Sequence, residues 1–329
     1  MTPEISVVIP LYNEALNLGE LYAELTATLE GTNLAYELIL VDDGSSDDTN
    51  VILAELHGKD PRVCVVRLRR NFGQTAAFAA GFRRARGRVI VTSDGDLQND
   101  PRDIPAMLAK LDQGYDIVCG WRKDRKDPWL TRRVPSMMAN WLISVTTGVS
   151  LHDYGCSLKV FRAEVIKPLR LYGEMHRFIP AIASEQGVRI AELVVNHRPR
   201  RFGKSKYGLS RTVRVVFDLV TVKFLLSYST RPLQMFGPAG LFLGVVGAVI
   251  MVYLGYIRLF GGQAIGDRPL LLLAILMMFA GLQLVTLGLL AELQSRTYHE
   301  SQGKPIYVIR EVLESSNVTT DAKVPITRA

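Results

Sequence analysis

A chain of 329 residues is too long for one small domain, and 48% hydrophobic side chains is an ordinary globular fraction. The formal net charge of +7 points to an anionic partner: nucleic acid, a phosphorylated substrate or an anionic lipid surface. Cys64, Cys119 and Cys156 have no CxxC spacing, which argues against a disulfide framework or a zinc site and predicts reduced interior thiols. The N-terminus, Met1-Thr2-Pro3-Glu4-Ile5, lacks a basic stretch followed by an apolar one, so the first 230 residues are expected to stay in the cytoplasm.

Residues 5–10 form a short β-branched run stopped by Pro10, which reads as a buried strand. An amphipathic helix follows over 17–29, then a strand over 36–41 that ends in Asp42-Asp43-Gly44-Ser45-Ser46-Asp47. Residues 48–57 read as helix, 63–68 as strand, 75–86 as helix closed by Gly87, and 88–92 as a fourth strand. Near-continuous apolar strands alternating with helices predict an α/β fold, a parallel sheet covered on both faces. Ligands of such sheets sit beyond the carboxyl ends of the strands. Pro10-Leu11-Tyr12-Asn13-Glu14, Asp42-Asp43 and Asp94-Gly95-Asp96 all fall there.

A helix over 104–113 leads to a strand over 115–120, then to Trp121-Arg122 and a loop rich in Arg, Lys and Asp. Residues 134–148 read as a core helix or as an interfacial one. Residues 209–232 carry Arg211, Arg214 and Lys223 among apolar residues and read as an amphipathic helix at a membrane surface. Residues 233–260 and 270–293 are each long enough to cross a hydrocarbon core, which needs about 20 residues. The short joint between them allows only a helical hairpin. Nine Lys and Arg residues between Arg198 and Arg231 precede the first span, against Arg268 alone in the joint. That bias predicts two spans in the cytoplasmic (inner) membrane with both termini in the cytoplasm. The chain thus divides into 1–208, 209–232, a transmembrane hairpin over 233–293 and a cytoplasmic tail over 294–329, with a possible strand at 306–309.

Asp94 and Asp96 end a buried strand one residue apart, and two such carboxylates repel unless a cation joins them. Mg2+ or Mn2+ fits, with hard oxygen ligands, Gln98 as a neutral third, and positions left for phosphate oxygens and water. The same residues read blandly as a solvated turn. Asp42-Asp43 reads either as a strand-to-helix turn with a cap or as a nucleoside contact. No nucleic-acid recognition motif accompanies the charge.

As an ordered set, Val8-Ile9-Pro10-Leu11-Tyr12-Asn13-Glu14, Val41-Asp42-Asp43-Gly44-Ser45-Ser46-Asp47, Arg70-Asn71-Phe72-Gly73-Gln74 and Asp94-Gly95-Asp96-Leu97-Gln98 resemble the motifs of family 2 glycosyltransferases with a GT-A fold. Asp153-Tyr154-Gly155-Cys156-Ser157-Leu158-Lys159, Phe202-Gly203-Lys204-Ser205-Lys206-Tyr207 and the paired spans are similar to the dolichyl-phosphate mannose synthase branch. Within it, they look closest to bacterial undecaprenyl-phosphate 4-deoxy-4-formamido-arabinose transferases, with glucosyl transferases as near relatives. The similarity covers residues 4–310; Gly95 departs from a common Ala, and Lys204 from a common acidic or neutral residue.

The resemblance implies that residues 1–208 are a GT-A (Rossmann-like, mostly parallel) catalytic domain. It implies metal-dependent, inverting transfer from a nucleotide sugar, UDP-linked rather than GDP-linked, to polyprenyl (undecaprenyl) phosphate. Pro10, Tyr12, Glu14 and Asp43 match nucleotide contacts, and Asp94, Asp96 and Gln98 match the Mg2+ or Mn2+ and diphosphate site. Arg122, Arg132 and Arg200, with Ser205 and Lys206, match basic positions near the acceptor phosphate and donor diphosphate. Related enzymes also imply a homo-oligomer, a tetramer. Loops such as 153–159 and 172–180 are expected to choose the sugar. The competing readings are a processive polysaccharide synthase, against which the chain lacks Gln-x-x-Arg-Trp and a larger helical pore, and a membrane scaffold with a decayed nucleotide fold.

Overall fold

The computed structural model describes residues 2–123, 144, 148–171, 175–184, 186–199, 233–262, 264–266, 268–301 and 306–314. These fall into two units, one built on a sheet and one formed by the paired C-terminal helices. Strands β1 (Ile5–Leu11), β2 (Tyr36–Asp42), β3 (Val63–Leu68) and β4 (Val89–Thr92) appear where the apolar runs predict them. Between them lie α1 (Leu18–Glu30), α2 (Thr49–Lys59) and α3 (Gln74–Arg84). Every residue of β2 and β4 is buried, the signature of strands covered on both faces. Gly81 lets α3 lie against the sheet: a Cβ there would stand 2.2 Å from Val8 Cγ1.

After α4 (Ile104–Leu111) and β5 (Ile117–Trp121), the chain makes β6 (Lys159–Arg162), the short helix α5 (Ala163–Ile166), the short helix α6 (Ile179–Ser184) and β7 (Ile190–Val194). The last strand of the sheet is β8 (Ile309–Leu313), giving the order β7-β5-β6-β4-β1-β2-β3-β8. The sheet is therefore mixed, not purely parallel: β6 runs antiparallel to both β4 and β5, and β8 antiparallel to β3. The C-terminal strand also starts later than 306–309. Tyr307 is buried ahead of the ladder, and the pairing is set where Arg67 meets Glu311 at 2.7 Å. All three cysteines are free and buried, and burial pushes the thiols of Cys64 and Cys119 up to about 12.

The second unit is a helix pair, α7 (Leu233–Gly261) and α8 (Pro269–Ser301), the latter running eight residues past the expected 293. Phe236–Gly261 and Pro269–Leu290 are long and apolar enough to cross a membrane, and their outward residues are apolar and exposed: Leu259 is 81% and Phe260 78% accessible. Water would penalise such a surface and lipid would not, so the pair is built for membrane association. Small residues bring the helices together. A Cβ on Gly281 would meet Gly240 O at 2.5 Å and Gly244 N at 2.7 Å, both rigid backbone. Gly281→Val is accordingly expected to destabilise the hairpin by about 2 kcal/mol, read as a lower thermal unfolding midpoint in detergent. Gly255→Val, with open space around it, should leave the midpoint unchanged.

Candidate active site

The sheet gathers the expected residues along one edge. β1, β2 and β4 are mutually parallel, and β5 points the same way as β4 because each is antiparallel to β6. The carboxyl ends of β1, β2, β4 and β5 thus deliver Pro10, Tyr12 and Glu14; Asp43; Asp94, Asp96 and Gln98; and Arg122 to the same side.

The first two loops are laced together. Asn13, in the left-handed region at φ 56°, donates its amide to Ser45 Oγ at 2.9 Å and accepts from the Ser46 amide at 2.8 Å. The Glu14 amide donates to Thr49 Oγ1 at 3.1 Å. Asp43 turns toward the third motif: its two carboxylate oxygens accept the amides of Phe72 and Gly73 at 2.7 and 2.9 Å. Gly44 (φ 72°) makes this possible, since a Cβ there would fall 2.5 Å from the Arg70 carbonyl carbon. Desolvation raises the Asp43 pKa against the pull of those amides.

Past β4 the chain turns sharply. Leu97 adopts φ 61°, a region that L-residues pay about 1–2 kcal/mol to enter, and Asp96 accepts the Gln98 amide at 3.2 Å to close the turn. Asp96 is buried; Asp94 is partly exposed. Gln74 Nε2 donates to Asp94 Oδ1 at 2.6 Å, and the Ser157 hydroxyl bonds the same carboxylate. Asn99 Nδ2 donates to Ser157 Oγ at 2.7 Å behind it. Desolvation and the neighbouring Asp96 push the Asp94 pKa upward, against Ser157, Arg122 and Lys159.

The 153–159 segment reaches Asp94 through Ser157. Arg122 forks onto Asp153 through Nε (2.7 Å) and Nη2 (2.9 Å). Burial works against the guanidinium charge, but Asp153 outweighs it and holds the Arg122 pKa above its ordinary value. Lys159, buried in β6, donates its ammonium to the carbonyls of Tyr154 and Cys156, fixing the turn that carries Ser157. On the other side the Arg198 amide donates to Gln98 O at 2.9 Å, while its guanidinium pairs with Glu24 and Asp100, each at 2.7 Å.

Arg132, Arg200, Ser205 and Lys206 lie outside the described residues, as do nearly all of 134–148 and all of 209–232. Of the 172–180 loop, residues 175–180 are described, and His176 packs on α3. Sequence reading did not single out Gln74, Asn99, Asp153, Ser157 or Lys159 individually, although four of them sit inside quoted motifs. A polar residue inside a motif was the available signal.

The family model for "Glycosyl transferase family 2" matches residues 6–170. A dodecaprenyl-phosphate galacturonate synthase of Rhizobium johnstonii is 46% identical over 320 residues, 95% of this chain and 94% of that one. An undecaprenyl-phosphate 4-deoxy-4-formamido-L-arabinose transferase of an Enterobacter species is 40% identical over 320 residues, 96% of each. Among solved structures, glucosyl-3-phosphoglycerate synthase of Mycobacterium tuberculosis, in complex with Mn2+, UDP and glucosyl-3-phosphoglycerate, superposes with a TM-score of 0.54. It is 19% identical and covers 69% of this chain and 82% of that one, a likeness of fold. Strand order, the acidic strand ends and full-length similarity agree: this chain is a GT-A protein that belongs to glycosyl transferase family 2.

Proposed function

We propose that the protein transfers a sugar from a UDP-linked donor to the phosphate of a polyprenyl lipid, undecaprenyl phosphate in its bacterial setting, with inversion at the anomeric carbon. The strongest support is that relatives named for polyprenyl-phosphate transfer match over 94–96% of their length, spans included, while Asp94 and Asp96 stand together at the end of β4.

The donor set fits a divalent cation. Asp96 disfavours the charge of Asp94, a conflict that a cation relieves. Among the described residues no third carboxylate, histidine or cysteine joins them. The protein then offers hard oxygens from Asp94, Asp96 and Gln98 and leaves positions for diphosphate oxygens, the pattern of Mg2+ or Mn2+. When bound, such an ion stabilises the leaving nucleoside diphosphate as a Lewis acid.

The residues of the chain do the rest. Pro10, Tyr12, Glu14 and Asp43 frame the nucleotide beyond β1 and β2. Polyprenyl phosphate is already largely ionised at neutral pH, its second pKa near 6, so it needs no strong general base. The difficulty is bringing two anions together. Arg122, and with it Arg132, Arg200, Ser205 and Lys206, offsets that charge through charge-assisted hydrogen bonds. The Arg198 clamp beside Gln98 starts the basic segment at the donor edge. The catalytic unit and both termini face the cytoplasm in this reading, the helix pair spans the inner membrane, and the enzyme assembles as a homo-tetramer.

The test is a panel of UDP- and GDP-sugars, galacturonate, 4-deoxy-4-formamido-arabinose and glucose among them, incubated with undecaprenyl phosphate and Mn2+ or Mg2+. One UDP-sugar is expected to give a lipid-linked product of the matching mass. Turnover that needs no lipid acceptor, or product from no donor in the panel, overturns the reading.

A further inference from the structure

Gln74 and Ser157 both touch Asp94 from outside its own strand end, and the chain secures Gln74 on both sides. Immediately before it, the amides of Phe72 and Gly73 are held by the Asp43 carboxylate. Gly73 takes φ 94°, which turns the loop into the first residue of α3. Immediately after it, Thr75 Oγ1 lies 2.8 Å from His176 Nδ1, and both residues are buried. The His176 amide also approaches Thr75 Oγ1 at 3.5 Å. The hydroxyl and Nδ1 share one hydrogen bond, whose donor is set by the imidazole tautomer. Desolvation keeps the imidazole pKa well below its ordinary value, with the charges of Arg177 and Lys159 adding to it, so the ring is neutral and shares a neutral hydrogen bond with Thr75. The ring also packs 6.1 Å from Phe78, one turn further along α3.

We propose that Gln74 is a positioning residue for the metal-binding carboxylate Asp94, and that the Thr75–His176 hydrogen bond sets where Gln74 stands. This rests on the reading of Asp94 as a metal ligand. The physical need is specific. Asp96 repels the Asp94 carboxylate, which therefore needs hydrogen-bond donors to hold it in place. An amide that donates at 2.6 Å from a helix start braced by Asp43 and His176 holds Asp94 Oδ1 in place, beside the Ser157 hydroxyl on the same carboxylate. Carboxylate ligands held in this way typically lose 10–100-fold in metal affinity when the outer partner is removed. The same brace links the nucleotide edge to the metal edge, because Asp43 holds one end of the short loop that Gln74 terminates.

The experiment uses the full chain in detergent micelles and reads free Mn2+ by electron paramagnetic resonance, titrated with UDP present. Gln74→Met keeps the length and loses the donor; it is expected to raise the Mn2+ dissociation constant at least about 10-fold. Thr75→Val should raise it about 3- to 10-fold, and Thr75→Ser, which restores the hydroxyl, should return it to wild type. In the transfer assay the same variants should show a raised KM for Mn2+, with turnover recovering at saturating metal. Asp94→Asn is the control that separates the two ideas. If Asp94→Asn loses Mn2+ and Gln74→Met binds it as wild type, the positioning role is overturned and the metal site stands. If Asp94→Asn also binds as wild type, both fall. A Gln74→Met protein whose unfolding midpoint drops while its Mn2+ affinity is unchanged is likewise counter to the proposal, because it assigns Gln74 to stability alone.

Discussion

Asp94→Asn and Asp96→Asn are each expected to reduce formation of lipid-linked sugar by about 1000-fold, the upper end of what is lost when one group stabilising the developing charge is removed. Asparagine keeps the volume and one oxygen, so the turn at Leu97 and the contact with Gln74 survive while the charge does not. Asp94 has a folded-state pKa above its ordinary value, from desolvation first and Asp96 second. A carboxylate raised in this way opposes folding at neutral pH: its unfavourable contribution sets in as pH rises from the unfolded value through the folded one. Asp94→Asn should therefore raise the unfolding midpoint of the metal-free protein at pH 7 while it removes activity. At pH values below both pKa values the two proteins should unfold alike. Thermal unfolding across pH beside the transfer assay checks both halves, and a mutant with wild-type turnover removes the metal role from this residue. The trade of stability for function is the ordinary condition of a site that crowds like charges together.

The strands that carry the donor half were legible because they are short, mostly apolar buried runs punctuated by Pro10, Asp42 and Asp94. Period and composition suffice for such elements. β6 was not legible: four residues with Lys159 and Arg162 at its ends do not read as a strand, and only the gap between β4 and β5 accounts for it. Lys159 is buried there because its ammonium finds two carbonyls, which no local pattern announces. The ring of support around Asp94 was hidden for a related reason. Gln74 and Ser157 stand 20 and 63 positions away, so their meeting is a fact of topology. Gly95 is instructive in the other direction. A Cβ there would fall 2.4 Å from Leu11 Cδ2, so Leu11 occupies the space that an alanine would take. An alanine at this position would require Leu11 to shift.

Asp153→Ala is expected to cost both stability and activity, and the two losses can be separated. Asp153 is buried and Arg122 largely so, with side chains 5% and 14% exposed, and they share two hydrogen bonds of 2.7 and 2.9 Å. Removing one member of such a pair strands the other charge, for about 3 kcal/mol or more. The fork uses Nε and Nη2 of Arg122, which fixes the plane of the guanidinium and directs Nη1 away from Asp153. In the proposed reaction that edge meets phosphate, so loss of Asp153 should also lower turnover about 100-fold through misplacement of Arg122. Arg122→Met in the Asp153→Ala background removes the stranded charge. The double variant should regain much of the lost unfolding midpoint, as paired charges replaced together often do, and should remain inactive. If the double variant recovers activity along with stability, Arg122 has no part in the transfer. If Asp153→Ala unfolds at the wild-type midpoint, the pair is solvent-screened and the site is more open than its geometry indicates.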